Sequence, residues 1–272
     1  LPLRLIDNPG RVTPKGLNLG IGQARGDVII YVLAHSELDP SFVSESVRAL
    51  ARTGADCVGG RVVSRGEGLV GQAVALALAS PFGSGGASYR LSQRERYVDT
   101  VNFAAYRRQV FQRLGLFRED LVGDEDTEFH YRLAEAGGKI FLTPKIKPVY
   151  FPRSTLGGLF RQYLANGAAK VEVARLYPRR LRLRVLVPGV LVATLLASGA
   201  LAFFQRAAAR LFALVAGGYA LASLLASLSL ASRRGWRYLP LLPAAFAAMH
   251  FGYGLGFLWG LARLILGRGR PR

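Results

Sequence analysis

Cysteine is almost missing from this chain. Cys57 is the only one, so no intrachain disulfide can form, and its scarcity suits a reducing, cytosolic catalytic face. Lysine is nearly as scarce. Only Lys15, Lys139, Lys145, Lys147 and Lys170 occur, so the formal charge of +19 is carried mainly by arginine. No internal repeat is visible, which argues against solenoids and propellers. The first residues, Leu1-Pro-Leu-Arg-Leu-Ile6, offer no charged leader, long apolar stretch or small-residue cleavage site, so they do not form a signal peptide. A start at Leu1 directly in an apolar run reads as the middle of a domain, and the sequence is expected to be a fragment.

What is present is unevenly spread. The chain has 272 residues, 51% of them hydrophobic, a length that allows one or two domains. Residues 1–180 mix charged and apolar positions like a soluble α/β protein, whereas 183–267 are almost continuously apolar. Three runs, Val185–Phe204, Leu211–Ala231 and Leu239–Leu266, each reach the roughly 20 apolar residues a bilayer crossing needs. The densest basic run, Arg179-Arg-Leu-Arg-Leu-Arg184, lies just before the first of them. It points to a membrane and not to nucleic acid, which would want basic residues interleaved with aromatics in the soluble part. Those arginines, with Arg233, Arg234 and Arg237, place residues 1–180 on the cytoplasmic side; Arg268, Arg270 and Arg272 argue the other way. Leu156–Arg175 reads as an amphipathic helix at the membrane interface. His250 stands in mid-span, either as a functional group or as a neutral imidazole packed between helices.

Along the soluble part, strands alternate with helices. Strands are expected at Leu3–Ile6, Val28–Leu33, Ala55–Ser64, Tyr97–Ala105, Lys139–Leu142 and Val149–Phe151. Helices are expected at Lys15–Ala24, Pro40–Thr53, Gly68–Leu78 and Arg107–Leu114, with a flexible Gly/Ser loop over Ser80–Ser88. The continuous apolar run Val28–Leu33 suggests a strand buried on both faces, as in a parallel sheet, and the alternation suggests a doubly wound α/β sheet. The expected boundaries are an α/β domain over 1–154, a linking helix and basic segment over 155–182, and a membrane part over 183–267.

The densest chemistry lies in Val122-Gly-Asp-Glu-Asp-Thr-Glu-Phe-His-Tyr-Arg-Leu133, followed by Ala136-Gly-Gly-Lys-Ile140. Four carboxylates, Asp124, Glu125, Asp126 and Glu128, fall within five positions of a strongly basic protein. The helical spacing after them stops at Gly137-Gly138. A loop entering a helix can hold a carboxylate rigidly at a cleft, which is what a general base needs. The same acids can instead favour a helix N-terminus through its dipole, and the segment alone leaves both readings open.

In order and spacing, these pieces resemble family 2 glycosyltransferases, most of all the succinoglycan and exopolysaccharide type of membrane glucosyltransferase from bacteria. The matching residues are Asp7-Asn-Pro-Gly-Arg11, Leu17-Asn-Leu-Gly20, Ala24-Arg-Gly-Asp-Val28, Ala34-His35, Gly54-Ala-Asp56, Val58-Gly-Gly60, Val98-Asp-Thr-Val101, Gly115-Leu-Phe-Arg-Glu119, Glu125-Asp126, Arg132-Leu133, Ala136-Gly-Gly-Lys-Ile140 and Arg161-Gln-Tyr163. The resemblance implies a GT-A, Rossmann-like nucleotide-sugar domain that here lacks its first strand or strands. It implies transfer of a hexose, with inversion, from a nucleotide diphosphate sugar such as a UDP-sugar to a lipid-linked saccharide, at the inner (cytoplasmic) membrane of a bacterium. It implies Asp126 as catalytic base with Glu125 beside it, and donor or acceptor contacts from Asn18, His35, Gly59, Gly60, Asp99, Arg161, Gln162 and Tyr163. Glu125 and Glu128 would orient Asp126 or raise its pKa.

The resemblance also implies a divalent metal, Mg²⁺ or Mn²⁺, and here the chain departs from the pattern. Leu33 stands where an aspartate is expected in Leu33-Ala34-His35. His35 is left as a lone metal ligand, poor for a hard cation, while Glu37 and Asp39 better suit the opening of the next helix. Two other readings follow from these features: a polyprenyl-phosphate sugar synthase, or a catalytically degenerate membrane scaffold of a polysaccharide assembly.

Overall fold

The computed structural model describes residues 3–267. In chain order the elements begin α1 (Thr13–Gln23), β1 (Val28–Ile30), β2 (Ser36–Leu38), α2 (Phe42–Thr53), β3 (Cys57–Gly60) and β4 (Val63–Ser64). Then come α3 (Gly68–Leu78), α4 (Pro81–Ser84), α5 (Ser88–Leu91), β5 (Arg96–Tyr97), β6 (Ala105–Arg107), α6 (Arg108–Leu114), α7 (Glu125–Glu135), β7 (Ile140–Thr143) and β8 (Pro148–Tyr150). Four long helices close the chain: α8 (Leu156–Leu176), α9 (Val187–Leu201), α10 (Arg206–Arg234) and α11 (Leu242–Ile265). Contacts divide it into two units. One holds the residues up to Val63 with Ser88–Tyr150; the other holds Ser64–Ala87 with everything from Phe151 on.

The first unit is mixed α/β. Its main sheet runs β1-β6-β3-β7-β5. Only β3 and β7 are parallel, with Val58 opposite Phe141; β1, β3 and β5 pair antiparallel with their other neighbours. The expected doubly wound sheet, with Val28–Leu33 as in a parallel sheet, is therefore corrected to a mixed one. The run Val28–Leu33 does not lie inside a parallel sheet: only Val28–Ile30 is strand, and β1 sits at the edge against β6 alone. Leu3–Ile6 forms no strand, and Leu3 and Leu5 are almost fully exposed. An apolar stretch with no neighbour to complete its ladder gains little from being extended.

The core of this unit is aromatic. Tyr106, Phe111, Phe117 and Phe129 pack with ring centroids 4.8–6.4 Å apart, and each buried ring contributes on the order of 2 kcal/mol. Phe129 and Leu133, one turn apart, sink α7 into this cluster. Gly137, at φ 76°, closes the helix, and the Gly138 N–H bonds to the Leu133 carbonyl at 2.9 Å. This is a Schellman-type stop, as the Gly137-Gly138 pair suggests.

In the second unit, α8 and α11 lie side by side. A Cβ on Gly252 would meet the Phe160 carbonyl at 2.8 Å, one on Gly256 the Leu164 carbonyl at 1.9 Å, and one on Gly260 the Ala168 carbonyl at 3.0 Å. The offset stays constant as both chains advance, so the two helices run parallel for more than two turns. Small residues four apart permit this backbone contact, as in membrane helix pairs. α8 thus shares the inclination of α11. A flat interfacial position for α8, expected from its charges, would require α11 to lie flat as well.

Two helices are long and apolar enough to cross a membrane, α10 with 29 residues and α11 with 24. α9 has only 15, about 22 Å of helix against a hydrocarbon core of roughly 30 Å, so the run Val185–Phe204 falls short of the length expected of it. Pro188 and Pro243 occupy the first turns of α9 and α11, where a missing N–H costs least. His250 is satisfied at both nitrogens. Its Nε2–H donates to the Phe82 carbonyl at 3.0 Å and its Nδ1 lies 3.2 Å from the Tyr219 hydroxyl, an imidazole packed between helices. The segment expected to be a loop holds the short helix α4, and the Arg184 Nη1 donates to the carbonyls of Gly85 and Gly86 at 3.2 and 2.6 Å. Arg268, Arg270 and Arg272 lie outside the described residues.

Candidate functional site

α7 begins where the carboxylates begin. Gly123 and Asp124 both have positive φ, 84° and 66°, so the loop turns sharply into Glu125 at the first helical position. Asp124 does not cap the helix with its side chain; its Oδ1 accepts instead from the Thr127 hydroxyl at 2.7 Å. Asp126 Oδ1 accepts from the Thr127 N–H at 2.7 Å and lies 3.5 Å from the same hydroxyl. Thr127 thereby ties both aspartates to the first turn. Asp126 is half-buried, and its charge is favoured by the helix N-terminus.

The other two acids differ. Glu128 is 1% exposed and pairs with Arg132 at 2.9 Å. Arg132 in turn donates to the carbonyls of Leu114 and Leu116 and sits 4.8 Å over the Phe129 ring. Glu128 thus forms a buried ion pair with Arg132. Glu125 is turned partly inward. Burial raises its pKa, with Asp124 adding to the shift, and its Oε2 has no hydrogen-bond partner among the described residues.

Beside these acids stands Tyr31, just past the end of β1. Burial pushes its phenol pKa well up, and the charge of Asp126 pushes it further. The phenol therefore stays protonated near Asp126 at neutral pH. Tyr31 stacks on Tyr106 at 6.4 Å, and the Tyr106 hydroxyl lies 2.8 Å from His130 Nε2. Cys57 Sγ is 3.7 Å from the same nitrogen. Burial lowers the His130 pKa to about 3, so the imidazole is neutral, and its Nδ1 has no hydrogen-bond partner among the described residues. A buried polar group, Tyr106–His130–Cys57, thus lies in the core beneath the Tyr31 ring. Sequence reasoning missed it. The available signals were His130 one helical turn after Asp126, and Tyr31 directly after an apolar strand.

The remaining predicted residues divide. Asn18 is buried and its amide is engaged, donating to the Phe117 carbonyl and Glu119 and accepting from the Phe117 N–H at 3.0 Å. It braces α1 against the segment after α6. Gly59 and Gly60 in β3 make room for the protein itself. A Cβ would come 2.5 Å from Val101 and 1.9 Å from the Ile146 carbonyl. Asp99 lies in the irregular segment after β5. Arg161, Gln162 and Tyr163 belong to α8 in the second unit.

His35 is exposed beyond β1, with its ring edge-on to Tyr150 at 5.3 Å. Asp39 Oδ1 accepts from the Ser41 N–H and hydroxyl at 2.9 and 2.6 Å, bonds that hold its pKa low. It shapes the turn before α2 but does not cap it, since the N-cap position is Ser41 and no side chain caps the helix there. Among the described residues no three His, Cys, Asp or Glu side chains converge. A hard divalent cation wants several oxygen donors at once, and the residues around His35 do not supply them.

Residues 2–115 match the model of the Glycosyl transferase family 2 family. The chain is 30% identical over 169 residues to a succinoglycan biosynthesis protein, ExoA, of Rhizobium meliloti. It is 25% identical over 174 residues to a dolichyl N-acetyl-alpha-D-glucosaminyl phosphate 3-beta-D-2,3-diacetamido-2,3-dideoxy-beta-D-glucuronosyltransferase of Methanococcus voltae. These alignments cover 61% and 62% of this chain but 51% and 54% of those proteins, so the chain spans about half the length of the curated relatives it matches. A solved structure of GalNAc-T7 with UDP, GalNAc and Mn²⁺ aligns over 57% of this chain and 33% of its own, at 17% identity and a TM-score of 0.38, too loose an overlay to carry an argument.

Proposed function

We propose that this chain, whose front carries a glycosyl transferase family 2 domain, is an inverting glycosyltransferase. It moves a hexose from a nucleotide diphosphate sugar to a hydroxyl of a lipid-linked saccharide. The observation that supports the reading best is Asp126, a half-buried carboxylate on the first turn of α7, fixed by Thr127 and near enough to Tyr31 for its charge to raise the phenol's pKa. In the proposed step the Asp126 carboxylate takes the proton of the acceptor hydroxyl. The freed oxygen forms a bond to the anomeric carbon while the bond from that carbon to the diphosphate oxygen breaks on the opposite face. The electron pair leaves with the nucleotide diphosphate, and the anomeric configuration inverts.

A base is needed for a hydroxyl acceptor and superfluous for a phosphate. The printed name of the archaeal relative likewise describes transfer to position 3 of a lipid-linked sugar. Arg161, Gln162 and Tyr163 are proposed as contacts to the donor diphosphate and acceptor, since an arginine suits an anion. No step runs through a metal, because the residues around His35 do not form a site for one. α10 and α11 are proposed to hold the chain in the cytoplasmic membrane of a bacterium, with α9 completing three spans and the α/β unit on the cytosolic side.

The test is Asp126→Asn with purified protein, a nucleotide sugar and a lipid-linked acceptor. Turnover should fall by two orders of magnitude or more while nucleotide-sugar affinity stays close to that of the parent. Unchanged turnover would remove Asp126 as the base.

A further inference from the structure

The first turn of α7 carries a hydrogen-bond arrangement that an ordinary helix start does not have. Asp124 occupies the N-cap position. An aspartate there normally has extended backbone and accepts with its side chain from the N–H two or three residues on. The N–H three residues on belongs to Thr127, and Asp124 does not take it. Its backbone is left-handed instead, at φ 66° and ψ 16°, a region unfavourable for residues with a Cβ. Asp126 Oδ1 takes that N–H, at 2.7 Å.

The Thr127 hydroxyl accounts for the exchange. A threonine hydroxyl has one proton to give. It lies 2.7 Å from Asp124 Oδ1 and 3.5 Å from Asp126 Oδ1, so the proton goes to Asp124. Asp124 thereby has a donor other than the backbone, and the backbone N–H is left to Asp126. Thr127 is buried, so water competes poorly for either bond.

We infer that Thr127 is the positioning residue of this site: its hydroxyl draws Asp124 away from the helix N-terminus, so that the N–H of residue 127 can fix the carboxylate of Asp126. The consequence for turnover rests on the reading of Asp126 as the base. The exchange of hydrogen bonds does not. Without the hydroxyl, Asp124 relaxes to an ordinary N-cap and takes the N–H, and Asp126 loses the bond that orients it.

The experiment uses the whole chain in detergent, a nucleotide sugar and a lipid-linked acceptor. Thr127→Val removes the hydroxyl at nearly constant shape. Its kcat should fall about tenfold to a hundredfold, as when a reacting group is misplaced by about 1 Å, while KM for the nucleotide sugar stays within about twofold. Its unfolding midpoint should stay close to the parent's, since a new cap replaces the lost bond. Thr127→Ser keeps the hydroxyl and should recover most of the lost turnover. The decisive protein combines Asp124→Gly with Thr127→Val. Glycine accepts a φ of 66° without cost and cannot compete for the N–H, so the second change should restore most of the kcat that Thr127→Val loses. A merely structural role for Thr127 would make the two losses add. A crystal structure of Thr127→Val reads the geometry apart from turnover. Asp124 should have extended backbone, with its carboxylate on the N–H of residue 127. Asp126 still on that N–H would overturn the inference, as would a double variant no faster than Thr127→Val. The switched bond in a protein whose Asp126→Asn form keeps parent turnover would leave the inference standing and remove the base. An inactive Asp126→Asn beside a Thr127→Val of parent turnover would do the reverse.

Discussion

Glu125 carries the clearest consequence for single residues. Its carboxyl is partly buried, one oxygen has no partner, and its pKa is raised chiefly by that burial. A raised carboxyl pKa means that the unfolded chain gives up this proton at lower pH than the folded one. Stability is therefore lost as pH climbs from the ordinary glutamate value, about 4.3, through the raised one, and the loss persists at neutral pH. Glu125→Gln should raise the unfolding temperature at pH 7, and the gain should shrink to nothing below the ordinary carboxylate range. A gain that grows on acidification would show that the carboxylate is stabilised in the fold. The same residues show how far a sequence can be read. The cluster and its place at a helix start were legible because glycine, acid and apolar spacing are local signals. Which acid faces what was not, because that depends on partners distant in sequence. Glu128 turns to Arg132, which is itself held by carbonyls from 114 and 116. Asn18 meets Phe117, 99 residues away.

Among the elements, α8 and α11 depend on glycines whose absent side chains leave room for backbone. A Cβ on Gly256 would stand 1.9 Å from the Leu164 carbonyl oxygen, whereas one on Gly217 in α10 would meet nothing within 4 Å. Gly256→Ala should push the pair apart and cost about 1–3 kcal/mol, the usual range for overpacking. Gly217→Ala should be neutral or stabilising by up to about 1 kcal/mol, since glycine is the poorer helix former. Thermal unfolding of both variants in the same detergent decides it; equal midpoints would mean that α8 and α11 are not in backbone contact. This pairing was hidden in the sequence. The charges of α8, Arg161, Lys170 and Arg175, suggested a helix lying on a surface, and the spacing of Gly252, Gly256 and Gly260 marks only one partner of the contact. Element types were otherwise well signalled, as α2, α3 and α10 show, while pairing direction in the sheet was not. β1, β3 and β5 pair antiparallel because crossover geometry, not local composition, chooses the neighbour.

The whole chain joins an α/β unit to helices with apolar surfaces, and its arginine distribution gives an orientation that can be tested directly. Cys57, the only cysteine, is fully buried, so the unmodified protein is a silent background for thiol labelling. Probe positions must themselves be exposed. Gly83 in α4 and Ala208 in α10 are both buried, and a side chain on Gly83 would meet the Ala77 carbonyl at 2.2 Å. Gln93 and Gln205 are exposed and serve instead. Under the proposed topology, Gln93→Cys in the α/β unit is cytosolic and Gln205→Cys, between α9 and α10, faces outward. The arginines before α9 and after α10 would then both stay inside. An impermeant maleimide applied to intact cells should label Gln205→Cys and spare Gln93→Cys until the cells are opened. Label on Gln93→Cys in intact cells would put the α/β unit away from the cytosolic supply of nucleotide sugar, and the proposed transferase would have no donor. Label on neither would place the α9–α10 turn inside the bilayer or behind it. The 15-residue α9 would then be a helix that enters the membrane without crossing it, while α10 and α11 remain long enough to span.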